Sequence, residues 1–406
     1  MNRLFVKKER KLILTPKDVI EDFEEKQIEC PFCKSQYIIK VGYYLSDRYG
    51  VKIQRLKCND CKKNFSGIPK IMEIEVQERY KSKETIPTQE WKQYTEAQKN
   101  EKIYLLNILF ELFENLKIIY NPTKKGRKFY KIQDLIYSLV LKTYTKLSSR
   151  RLNSDLQLLK EKEFIEKIPD YTTLSKYLKK EELTQILEAL IKISSRPIQN
   201  VESLALDSSG FSTSQFSRWF DFKWGKEKTC KTWIKAHIST DTLTNIILST
   251  TITKGNYADS PQLKPLLANI EHKNIKEVSA DKAYSSRENL QLIVNLGATP
   301  YIPFKSNVTG KQLGSSIWKK TFNYFKNNPQ EFYSHYHKRS NVETCFHMIK
   351  QKFGKELTTK SFDSQKNELL LKILCHNICC LIQEYFTRNI ELHYSTETEK
   401  IPILRR

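Results

Sequence analysis

The stretch "YHKRSNVETCFHMIK", residues 336–350, places Tyr336, Arg339, Glu343 and Lys350 at offsets of 0, 3, 7 and 14. An α-helix turning about 100° per residue would gather these four side chains within an arc of roughly 60°. Val342, Phe346, Ile349 and Phe353 make an apolar stripe beside them. One carboxylate, one phenol and two cations at the edge of a buried face suit a rigidly held acid flanked by groups that grip phosphates. A solvated i, i+4 charge pattern has the same local appearance. Partners elsewhere in the chain must separate the two readings.

Two further acids sit where such partners would be needed. Asp207 closes the apolar run "LAL", and Asp281 follows "VSA". A charge at the end of a buried strand is costly unless it is paired or metal-bound. Acids from two neighbouring strands, joined by Glu343 from a helix across the sheet end, would make a hard-oxygen cluster of the kind Mg²⁺ or Mn²⁺ prefers. Two such ions about 4 Å apart serve in-line phosphodiester displacement, with Arg and Lys neutralising the phosphate. Each aspartate alone could equally cap a turn. Glu202, Asp241 and Asp259, in the same region, read as strand-edge, turn and cap residues.

The cysteines carry different chemistry. "CPFC" and "CNDC" pair Cys30 with Cys33 and Cys58 with Cys61, a set of four thiolates suited to one structural Zn²⁺. The intervening "QYIIKVGYYL" and "YGVKIQRLKC" read as hairpin strands, giving a zinc ribbon that could contact DNA, contact protein or act as a cap. Cys345, His335 and His337 fit no closed zinc set. "CHNICC", ending at Cys380, lies in an apolar helix and reads as buried core thiols.

The 406 residues hold 69 Lys+Arg against 46 Asp+Glu, a formal charge of +23, which points to a polyanionic partner. No uninterrupted apolar run approaches a membrane span, and the basic N-terminus lacks a signal peptide's apolar core. The expectation is a cytoplasmic, nucleoid-associated, DNA-facing protein with no membrane partner.

Four regions must position these residues: a zinc ribbon with its N-terminal extension (1–75), a linker and helical region (76–200), an α/β domain (201–388) and a tail (389–406). In the second, "NEKIYLLNILFELFENLKIIY" reads as a helix, followed by the basic loop "NPTKKGRKFY". Three helical segments come next, with Ser148 or Ser149 capping the second and Asp170 or Thr172 the third. "SSRR" and "TTLSK" fit either a helix-turn-helix or a plain helical connector. From residue 201 three β-rich runs are followed by helix, strand, helix, strand and helix: a mixed sheet flanked by helices. Ser260 would cap the first of these helices, with Pro261 at its first position. In the second β run, Ile234, Ala236 and Ile238 alternate with Trp233, Lys235 and His237, which places His237 on the polar face. The stretch "FSRWFDFKWGKEKTCKTW" interleaves aromatics with cations and suits either base stacking on DNA ends or a core edge.

These motifs together resemble the DDE transposases of prokaryotic insertion sequences, built on the ribonuclease H-like fold. The resemblance rests on "ALDSSGF", "ADKAY" and a complete Y-x2-R-x3-E-x6-K, and runs from about residue 130 to 385. It implies metal-dependent cleavage at element ends and transfer of the freed 3′-OH into target DNA. Asp207, Asp281 and Glu343 would hold the metals, and Tyr336, Arg339 and Lys350 would position phosphates near the cleaved end. It also implies a homodimer on paired ends. The interval between Asp281 and Glu343 is too short for the large β-rich insertion of some relatives. A DNA-binding regulator on the same fold, or a nuclease without strand transfer, would share most of these features.

Overall fold

The computed structural model describes residues 29–45, 52–66, 90–120, 130–213, 233–270, 274–392, 394 and 399–403. Most of the 121–130 basic loop and all of the 216–233 aromatic stretch except Trp233 lie outside them. The chain divides into two compact units, Met1–Gln89 and Glu90–Arg406.

In the first unit β1 (Ile38–Leu45), β2 (Lys52–Cys58) and β3 (Asn64–Ser66) form an antiparallel sheet in sequential order. The expected hairpin is present, with a short third strand added. Lys34 and Lys62, each directly after the second cysteine of its pair, adopt left-handed backbone with φ of 60° and 61°. That bend folds each knuckle back so that both of its thiols face one point.

The second unit begins with α1 (Trp91–Glu114). The expected helix through Tyr120 stops early: Leu116–Tyr120 is a strand, β4, which pairs in parallel with the distant β10 (Glu399–Ile403). The run "LKIIY" has strand propensity, and only the remote partner reveals its state. Then come α2 (Ile132–Thr145), α3 (Asn153–Glu161), α4 (Tyr171–Tyr177) and α5 (Glu181–Ser195). Asp170 caps α4 by accepting from Thr172 N at 2.8 Å. Neither Ser148 nor Ser149 caps α3, because Leu152 holds that position and Ser148 closes the turn before it, accepting from Leu152 N at 3.0 Å. The third expected helix is two, α4 and α5.

The sheet has the order β7-β6-β5-β8-β9. Strands β5 (Ser203–Ser212), β6 (Trp233–Asp241) and β7 (Ile247–Lys254) form an antiparallel meander. A short 3-10 turn (Ser260–Gln262) and α6 (Leu263–Ala268) lead to β8 (Glu277–Ala280), which lies parallel to β5. Asp259 rather than Ser260 stands at the cap position of that turn, and its side chain caps nothing there. Next come α7 (Arg287–Asn295) and β9 (Thr299–Tyr301), parallel to β8, giving the mixed sheet of a ribonuclease H-like fold. The helices α8 (Ser316–Asn327), α9 (Pro329–Tyr336), α10 (Ser340–Phe353) and α11 (Phe362–Arg388) complete the unit.

His237 is fully buried, not on a polar face, since β6 is covered on both sides from Ala236 onward. One hydrophobic core runs from Ala97 on α1 through the sheet to Ile382 on α11. α11 is long and apolar enough to cross a membrane by length and composition, yet most of it is buried. It packs against α1, α2 and α5, and the thiols Cys375 and Cys380 are buried in it. Glu101 of α1, 4% exposed, accepts from Tyr144 Oη at 2.7 Å and from Lys352 Nζ at 2.5 Å. That half-buried pair pins the end of α10 to the helical layer.

Candidate active site

Register places the first two acids. The parallel pairing of β5 with β8 ends at Leu206↔Ala280, and Asp207 and Asp281 are the next residue on each strand. Neighbouring strands lie about 4.8 Å apart, so both acids leave the paired region side by side. Asp281 turns its carboxylate back to accept from Lys282 N at 2.7 Å, which starts the 3-10 turn Lys282–Tyr284.

Alternation along β5 sends Asp207, Ser209 and Phe211 to one face, where α10 packs. The segment carrying the other candidates is not one regular helix. It comprises α9, a 3-10 turn over His337–Arg339, and α10. Glu277 at the start of β8 holds this tightened turn, pairing with Lys338 and with His335 Nδ1, the latter at 2.5 Å. Two of the four residues, Arg339 and Lys350, reach β5, and Glu343 and Tyr336 contact Arg339. Arg339 donates from Nη1 to Asp207 Oδ2 and from Nη2 to Glu343 Oε1, each at 2.5 Å. Its guanidinium carbon lies 5.7 Å from the Tyr336 ring centre. Lys350 Nζ donates to Ser209 Oγ at 2.6 Å and sits 5.0 Å above the Phe211 ring.

The electrostatics follow from that packing. Burial pushes the Asp207 carboxyl above its usual range, and the charges of Asp281 and Glu343 add to the push. The Ser208 N–H and the Arg339 guanidinium oppose it. Burial also raises the Tyr336 phenol and lowers the Lys350 ammonium. Arg339 is held more firmly protonated by Asp207, Tyr336 and Glu343, although its burial works the other way.

Three carboxylates that repel one another across a half-open sheet end form a hard-oxygen donor set, and a cation between them relieves the repulsion. Arg339 supplies one positive charge there. The oxygen chemistry of the three side chains suits Mg²⁺ or Mn²⁺, while Arg339 occupies the space between Asp207 and Glu343. In the ribbon the fit is geometric. All four Sγ atoms of Cys30, Cys33, Cys58 and Cys61 lie within 4.8 Å of one another. Cys30–Cys61 and Cys33–Cys58 stand at 3.6 and 3.5 Å, close to the roughly 3.8 Å edge of a tetrahedron with 2.3 Å Zn–S bonds. The Cys61 N–H, foremost, lowers the Cys58 thiol, while Cys33, in contact with it, is pushed up, so that the pair shares a proton until a metal displaces it.

Sequence reasoning passed over Ser208, Ser209, Lys235 and Glu277, and set Asp259 aside as a cap. Ser208 and Ser209 were signalled by their place directly after Asp207. Nothing local pointed to Lys235 or Glu277.

Residues 202–378 match the family described as Transposase DDE domain, a span running from the start of β5 into α11. That stretch of the chain is similar to a transposase DDE domain. Asp207, Asp281 and Glu343 all fall inside it, as do Tyr336, Arg339 and Lys350. Among solved structures the chain is similar to the piggyBac transposase, seen by cryo-EM as a synaptic complex with hairpin DNA. Identity is 11%, with 69% of this chain and 74% of that chain covered, at a TM-score of 0.35. A likeness that distant says nothing about mechanism.

Proposed function

We propose that the protein is a DNA transposase that cleaves the ends of an insertion sequence and transfers the freed 3′-OH into target DNA. The observation that carries this reading is the placement of Asp207 and Asp281 directly beyond the last β5–β8 pair, with Arg339 joining Asp207 to Glu343 on α10. Asp207, Asp281 and Glu343 would hold Mg²⁺ or Mn²⁺, which when bound activates the attacking oxygen and stabilises the leaving one. Arg339 presents a planar fork that can exchange a carboxylate for a phosphate in bidentate fashion. Lys350, with its ammonium desolvated between Ser209 and Phe211, offers a second cation to the strand backbone. Tyr336 packs beside Arg339 and restricts its sweep. The formal charge of +23 favours duplex DNA as the partner, and by family resemblance two copies of the protein would act on paired element ends in the cytoplasm. Cys30, Cys33, Cys58 and Cys61 would hold one structural Zn²⁺.

The test is incubation of the purified protein with Mn²⁺ or Mg²⁺ and labelled DNA carrying the ends of the element that flanks its gene. Site-specific nicks and joined products, both absent with Asp207→Ala, are expected on a denaturing gel. Nicks without joined products would identify a nuclease. Binding without cleavage under either metal would identify a DNA-binding regulator.

A further inference from the structure

Ser208 points away from α10, to the opposite face of the sheet, and meets a fourth acid there. Asp259 Oδ1 accepts from Ser208 Oγ at 3.0 Å and from Lys235 Nζ at 2.9 Å. The same oxygen lies 3.6 Å from Nδ1 of His237, a ring that is 0% exposed and whose Nδ1 has no hydrogen-bond partner. His237 is fixed from its other nitrogen by Thr253 Oγ1 at 2.9 Å. Lys235 and His237 are both on β6, and Ser208 pairs directly with His237 across the β5–β6 ladder. One carboxylate therefore grips two strands from the face opposite α10.

The next residue reaches the second aspartate. Asn289 Nδ2 donates to Ser260 O and Ser260 Oγ, each at 3.0 Å, and to Tyr284 O at 2.8 Å. Tyr284 N in turn donates to Asp281 O at 2.9 Å, closing the turn that Asp281 opens. The Tyr284 phenol is 1% exposed, its hydroxyl has no partner, and it feels the charges of Asp259, Asp207 and Asp281 together. Ser208 N donates to Asp207 Oδ1 at 2.7 Å. The dipeptide Asp259–Ser260 thus bears on the neighbour of Asp207 through one contact and on the Asp281 turn through another.

We infer that Asp259 is a positioning residue of the DDE site: it braces β5 at Ser208 and, with Ser260 and Asn289, sets the spacing between Asp207 and Asp281. The inference rests on the proposed metal-holding role of those two acids. Asp259 itself does not touch the reacting atoms, since it works from the far face of the sheet.

Mn²⁺ binding by the full-length protein without DNA, followed by electron paramagnetic resonance titration, reads the brace separately from activity. Loss of an outer partner of this kind weakens metal binding by about 10- to 100-fold. Asp259→Ala is expected to weaken Mn²⁺ binding at least about 10-fold, with duplex binding in metal-free buffer unchanged. Asp259→Asn keeps an Oδ1 acceptor for Ser208 and is expected to stay within about threefold of wild type, a weaker loss than the outer-partner range. Ser208→Ala should fall part of the way, and adding it to Asp259→Ala should cost nothing further. If Asp259→Ala does not fold, by circular dichroism, Asp259→Asn and Ser208→Ala decide. A folded Asp259→Ala protein with wild-type Mn²⁺ affinity would overturn the inference. So would Asp259→Asn binding as weakly as Asp259→Ala, or Ser208→Ala binding as well as wild type. A wild-type protein that binds Mn²⁺ but leaves element ends uncut would overturn the proposed function and leave the brace measurable.

Discussion

Arg339 touches two carboxylates at once, and that double contact makes Glu343 a residue whose removal can be read cleanly. Glu343→Gln keeps the size of the side chain and an oxygen for Arg339, but removes the charge. It should lower end cleavage by more than the roughly 100-fold that marks loss of an outer partner, while DNA affinity in a gel-shift assay stays as it was. Cleavage near the wild-type rate would remove Glu343 from the proposed site. The residues of this region were legible because their signal is local. Tyr336, Arg339, Glu343 and Lys350 sit within 15 residues, and a helical turn is enough to align them. Asp259 was not legible for the opposite reason: its partners Ser208 and Lys235 lie 51 and 24 residues away in sequence. An isolated "ADSP" looks like a helix cap, and only the folded sheet shows where the carboxylate goes.

At the scale of elements, the zinc knuckles belong to a compact unit of their own, Met1–Gln89. Cys30→Ser together with Cys58→Ser should abolish zinc uptake, measured by elemental analysis, and make the Met1–Gln89 unit sensitive to protease. The thermal midpoint of the Glu90–Arg406 unit should not move. A matching loss in that unit would show that the two do not fold independently. The ribbon strands and the β5–β6–β7 meander were visible because period-two patterning and turn residues are local as well. β4 was hidden, since an apolar stretch directly after a helix reads as more helix until its parallel partner β10 is known. The break between α9 and α10 was hidden for a related reason. Glu277, on a strand about 60 residues earlier, pulls His335 and Lys338 toward the sheet and tightens the chain there into a 3-10 turn.

At the scale of the whole molecule, two histidines buried among the described residues, His237 and His376, titrate in a way that bears on stability. Burial lowers both His237 and His376 to about 4, against about 6.5 in an unfolded chain. Between those values the unfolded state binds protons that the folded state refuses, so stability is complete above about pH 6.5 and is lost as pH falls toward 4. The loss between pH 7 and pH 5 is about 2 kcal/mol per histidine. Urea denaturation at the two pH values checks the sum. His376→Gln should flatten the acid side by about half, because His237 then remains alone. A wild-type profile that is flat from pH 7 to pH 5 would contradict the burial of both rings.

The packing of α11 has a consequence for how the protein is made. Its apolar faces are covered by α1, α2 and α5, which a ribosome releases well before it, and the whole sheet is synthesised in between. Until α11 emerges, those earlier helices hold an unfilled apolar surface, the kind that recruits chaperones or aggregates. A chain interrupted between Glu343 and Phe362 would carry Asp207, Asp281 and Glu343 yet lack the helix that closes its core. Prematurely ended translation products should therefore be cleared rather than accumulate as partly folded, DNA-binding fragments.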